Sequence, residues 1–148
     1  MNTTLAIPDQ LTARVRITQL LDEFSSRVDR GVSVADLLEE DSRFVAPVWT
    51  AQGREGIAEK LLSLAQLRKE RGHEVRHISA TVNAEDLGAG RFRVRSVMLV
   101  MMLDRAAGAS GTMNVGDHDD IVAFGTDGTC RFVERTMKPA LKFALSAP

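Results

Sequence analysis

The chain has 148 residues, 44% of them apolar and 26% charged, and its 19 basic and 20 acidic residues leave a formal charge of −1. That length fits one domain around one core, and the longest apolar run, Val97 to Leu103, falls far short of the roughly 18 residues of a membrane helix. A near-neutral balance supplies no field for wrapping nucleic acid, so neither nucleic acid nor a membrane is expected as a partner.

The first predicted element is a helix over about Gln10–Asp29, where Ile17, Leu20, Leu21, Phe24 and Val28 recur at helical spacing. Pro8 and Asp9 suit its entry and Gly31 its stop. Ser33 followed by Asp36 resembles a capping box and predicts a short second helix from Val34 to Glu40. Arg43 to Val48 is rich in strand formers and carries Pro47, which suits an edge strand. A third helix is predicted from about Arg54 to Arg71, its apolar stripe built from Ile57, Ala58, Leu61, Leu62, Leu64 and Ala65 and ended by Gly72.

Beyond Gly72 the apolar period becomes alternating. His73–Val82, Arg91–Leu103, Thr112–Phe124 and Arg131–Met137 read as four strands separated by polar turns, among them Asp127-Gly128. Helices first and long strands afterwards predict a single α+β domain over 1–148, with a curved antiparallel sheet wrapped around the N-terminal helices. Both faces of Val97–Leu103 are apolar and both need cover. The helices cover one. A second copy of the chain is expected on the other, the alternative being the C-terminal segment Pro139–Pro148 folded back.

Composition also limits the chemistry. There is no tyrosine, so no phenol can act as an acid or oxyanion donor. The N-terminus MNTTLAIPDQ lacks the basic region and apolar stretch of a secretory signal, and the lone Cys130 cannot form an internal disulfide. A cytoplasmic setting is expected, with Cys130 an inert buried thiol. No glycine-rich phosphate loop or Ser-His-Asp set occurs, and no cofactor is expected. Asp117-His118-Asp119-Asp120 invites a metal, but alternation sends His118 and Asp120 to one face and Asp117 and Asp119 to the other. Two local ligands are too few, and a third would have to be His77 or Glu134. No metal is expected.

The order of elements is accompanied by local marks. These are Phe24 with Asp29, Trp49 before Gly53-Arg54-Glu55-Gly56-Ile57, Arg76-His77-Ile78-Ser79, Gly116-Asp117-His118-Asp119-Asp120, and Arg131-Phe132 with Arg135. From about Leu11 to Pro139 the chain resembles the nuclear transport factor 2-like superfamily, in the SnoaL-like branch with scytalone dehydratase, the bile-acid dehydratases and the small subunit of aromatic-ring dioxygenases. The resemblance implies a cone-shaped, cystatin-like α+β roll around an apolar pocket for a small hydrophobic molecule. It also implies a cofactor-independent lyase or isomerase, of dehydratase or cyclase type, acting on a small cyclic or polyketide-like molecule.

By the same resemblance His77 removes a proton alpha to a carbonyl, Asp29 orients it or serves as acid, and Arg135 or His118 stabilises the enolate. Phe24, Trp49, Met98 and Met113 are the substrate-binding candidates. Trp49 either caps the pocket mouth or packs the β-stretch onto the third helix. The methionines either line the pocket or belong to the core, alternation placing Met98 and Met102 opposite Met101. Phe24 and His118 stand where tyrosine is common in the dehydratases, and a phenylalanine donates no hydrogen bond. The competing reading is therefore a non-catalytic ligand-binding or dimerisation scaffold; an oxygenase small subunit, expected to be trimeric, is a third.

Overall fold

In the computed structural model, which describes residues 8–108 and 110–146, Asp9 opens the first helix by accepting the N–H groups of Leu11 and Thr12 at 3.0 Å each. Helix α1 (Gln10–Arg30) buries Ala13, Ile17, Leu20, Leu21, Phe24 and Val28 along one face. Gly31, at φ 66°, takes the left-handed position that ends it, and its N–H donates to the carbonyl of Val28.

The predicted second helix over Val34–Glu40 is a single 3₁₀ turn, Ala35–Leu37, and the chain is already extended at Leu38. Asp36 does not turn back to complete a capping box, because Arg27 on α1 holds its carboxylate at 2.5 Å. Strand β1 (Leu38–Ala46) follows, and Pro47-Val48 turns it into β2 (Trp49–Gln52), a strand absent from the sequence reading. Pro47 thus lies in the turn, where its missing N–H costs no ladder bond. Helix α2 (Arg54–Glu70) buries Ile57, Ala58 and Leu61 and ends before Gly72, at φ 70°.

Four long strands complete the chain: β3 (His73–Gly88), β4 (Arg91–Asp104), β5 (Ser110–Phe124) and β6 (Cys130–Leu145). The sheet order is β2-β1-β6-β5-β4-β3, antiparallel throughout except where β1 lies parallel to β6. Strands of 14–16 residues exceed the usual length of about six. They persist by bending, and the register shifts between Ala80 and Asn83 on β3, and twice along β6, are the bulges that bend them. The concave face packs on α1, with Phe92, Val94, Val122, Phe124 and Phe132 meeting its apolar stripe.

Strand β6 stays paired with β5 as far as Leu145, opposite Gly111. The segment from Pro139 to Leu145 therefore extends the sheet and does not fold back over it, which corrects that alternative; residues 147–148 lie outside the described residues. The convex face keeps Ile78, Leu103, Leu141 and Phe143 exposed. Among the described residues no helix is long and apolar enough to cross a membrane.

Candidate active site

The last turn of α1 carries Asp29 to the inward face of β3 at His77. Asp29 holds this histidine at two points: its Oδ1 lies 2.5 Å from His77 Nδ1, and its Oδ2 accepts the His77 backbone N–H at 3.0 Å. A carboxylate only accepts, so Nδ1 carries the ring proton and the lone pair of the neutral imidazole is on Nε2. Both side chains are largely removed from solvent, at 10% and 18% exposure. The pair therefore fixes the orientation of the His77 ring at the end of the cone.

A second constellation faces it from β5 and β6. Arg135 donates from Nε to Asp120 Oδ1 at 3.2 Å and from Nη2 to Oδ2 at 3.0 Å, and Nη2 also donates to His118 Nδ1 at 3.1 Å. A guanidinium has no acceptor, so His118 Nδ1 must accept and its proton is on Nε2. The two histidines are thus held in opposite tautomers by partners of opposite kind. The Arg135 guanidinium carbon lies 4.2 Å from the centre of the Phe132 ring and 4.4 Å from that of Phe24, a cation between two aromatic faces.

Burial sets the charges here. Burial first, then Arg135 and His77, pushes His118 down to about 3, so its ring is neutral at physiological pH. Burial pushes the Asp120 carboxyl up, and the adjoining Arg135 opposes that. Asp120 and His118 share a face, as alternation requires, but Arg135 engages the carboxylate and the Nδ1 lone pair of both. Arg135 thus occupies Asp120 Oδ1 and Oδ2 and His118 Nδ1. Burial pushes the Cys130 thiol up to about 12, which disfavours its thiolate.

Between the two constellations lies a cavity of about 60 Å³, lined among others by Phe24, Ser25, His77, Met98, His118 and Arg135. An outer cleft of about 430 Å³, lined by Asp29, Arg30 and Ser79, shares Ser25 and His77 with it. The structure thus brings Phe24, His77, Met98, His118 and Arg135 to one cavity and places Asp29 beside His77. It does not bring Trp49 or Met113 there. Trp49 stacks on Phe44 at 4.8 Å between ring centres, one layer away from the cavity. Met113 pairs with Met101 on the convex face, because alternation along β5 puts it on the side opposite His118. Sequence reasoning missed Ser25, a hydroxyl inside an apolar helical stripe, and Phe44 and Met137, which carry no mark beyond being apolar.

No family model and no curated protein sequence matches the chain. Solved structures do. A scytalone dehydratase-like protein from Novosphingobium aromaticivorans superposes with a TM-score of 0.77 at 19% identity, covering 93% of this chain and 91% of that one. The hexachlorocyclohexane dehydrochlorinase LinA type 2 gives 0.77 at 19%, covering 95% and 93%. ActVI-ORFA from Streptomyces coelicolor gives 0.72 at 18%, covering 85% and 96%. The fold is that of the nuclear transport factor 2-like superfamily, in the form shared by SnoaL-like and scytalone dehydratase-like proteins.

Proposed function

We propose that this chain is a cofactor-independent lyase or isomerase that begins by removing a proton alpha to a carbonyl in a small cyclic or polyketide-like molecule. The observation that carries the reading is the two-point hold of Asp29 on His77, which leaves Nε2 as a base at the cavity wall. Two of the solved structures with this fold bear names that describe eliminations, which supports the same class. In a β-hydroxy ketone, His77 Nε2 takes the alpha proton and the electron pair passes to the carbonyl oxygen as an enolate. The enolate then expels the β-hydroxyl, which leaves as water with the proton returned from Nε2. Asp29 stabilises the imidazolium formed in between, and the donors at the Arg135 end stabilise the enolate.

The test is dehydration of 3-hydroxycyclohexanone, followed by absorbance of the enone. His77→Ala abolishes the protein-dependent rate and leaves the melting temperature nearly unchanged; an unaltered rate in that variant ends the proposal. One observation favours a non-catalytic dimerisation scaffold instead: about 60 Å³ is well below the roughly 300 Å³ at which enclosed ligand sites begin. Only the reacting group of a substrate fits there, with the rest in the outer cleft. In either reading a second copy of the chain covers the apolar convex face, giving a homodimer.

A further inference from the structure

Four buried side-chain polar atoms lack a hydrogen-bond partner among the described residues, and two of them, Ser25 Oγ and His118 Nε2, belong to residues lining the same cavity. Their residues are only 6% and 5% exposed. Native interiors rarely leave such groups unmatched. A hydroxyl within a helix commonly donates to the carbonyl one turn earlier, as Thr18 does to Arg14 at 3.0 Å, but Ser25 makes no such bond. In His118 the choice of tautomer is made by Arg135, whose Nη2 occupies Nδ1 and leaves the N–H on Nε2 without a partner. Asp120 in turn fixes Arg135 through two bonds.

We infer that Ser25 and His118 form a subsite for one carbonyl oxygen of the substrate, entered from the outer cleft between Ser25 and His77. The substrate class is then a ketone and not a haloalkane or hydrocarbon, because an oxygen accepts two hydrogen bonds whereas a carbon-bound halogen or a methylene leaves both donors unpaired. This rests on the acid–base reading for its consequence, since His118 would stand where the enolate charge develops. As a binding site it stands alone. His118 supplies the donor that Phe24 cannot, and does so as a neutral imidazole.

The experiment is a titration of the protein, ¹⁵N-labelled at histidine, with cyclohexanone and with methylenecyclohexane, in which a methylene replaces the oxygen. Near neutral pH the free protein shows His118 as the Nε2–H tautomer, and its Nε2–H proton moves downfield with cyclohexanone and not with methylenecyclohexane. His118→Phe weakens cyclohexanone binding about tenfold and Ser25→Ala about threefold, with the hydrocarbon unaffected. An Nδ1–H or doubly protonated ring, an equal response to both probes, or unchanged affinity in the variants overturns the subsite. Should His118→Phe fail to fold, the wild-type titration decides alone. Binding is read without proton transfer, so repeating it in His77→Ala separates the two ideas. A retained Nε2–H response supports the subsite whatever His77 does to turnover, and its absence there and in the wild type refutes the subsite alone.

Discussion

His118 is the residue whose surroundings leave the least freedom. Its ordinary value of 6.5 falls to about 3 in the folded protein, through burial and then the neighbouring Arg135 and His77. Below pH 6.5 the unfolded chain takes up a proton that the folded chain refuses, so stability is lost as pH falls from 6.5 towards 3 and is complete above 6.5. Urea unfolding near pH 7 and near pH 4 should show this loss in the wild type and a shallower one in His118→Phe. A pH slope unchanged by the substitution would contradict it. At this scale Asp29 and His77 were legible as a pair through resemblance, because an acid at a helix end and a histidine on the next long strand leave a visible mark. Ser25 was not, since one hydroxyl inside a helical stripe looks like any half-exposed serine.

The strands β5 and β6 decide where Arg135 points. Phe132 pairs with Val122 and Glu134 with Ile121, so Val133 is an extra residue that reverses the alternation between them. Under unbroken alternation Arg135, three positions after the buried Phe132, would face outward; the bulge turns it inward, and both are buried. Resemblance therefore nominated Arg135 where simple alternation could not. The caps and period of α1 and α2 were equally readable, whereas β2, four residues after a two-residue turn, is too short to show alternation. Arg135 and Asp120 tie the two strands by a fully buried ion pair, at 1% and 0% exposure. Arg135→Met leaves the carboxylate buried without its partner and should cost about 3–5 kcal/mol in chemical unfolding. Adding Asp120→Leu removes the stranded charge and should recover most of that. If the double variant is no more stable than the single one, the pairing is not what holds these strands.

At the scale of the whole fold, the described residues leave one sheet face bare. Ile78, Leu103, Leu141 and Phe143 stand on the convex side of β3, β4 and β6, and β6 runs on within the sheet instead of crossing it. An apolar sheet face of this kind is normally covered. The proposed homodimer predicts a solution mass of about twice 16.2 kDa, falling to that of one chain in Phe143→Glu. A wild-type monomer contradicts it, and a mass of three chains would favour the arrangement expected of an oxygenase small subunit. A curved sheet around the helices was legible from element order, helices first and long strands afterwards, and the cone from the resemblance. The cavity volume was not, because it depends on how closely Phe24, Phe44 and Met98 approach one another.

Proton exchange tests whether His77, held by Asp29, removes a proton from carbon, and it needs no knowledge of the natural substrate. Cyclohexanone in D₂O, followed by NMR, should exchange its alpha protons faster with the protein than with buffer alone. The excess should vanish in His77→Ala. Exchange at the same rate in the protein and the variant would rule out His77 as the base and leave the site a place of binding only.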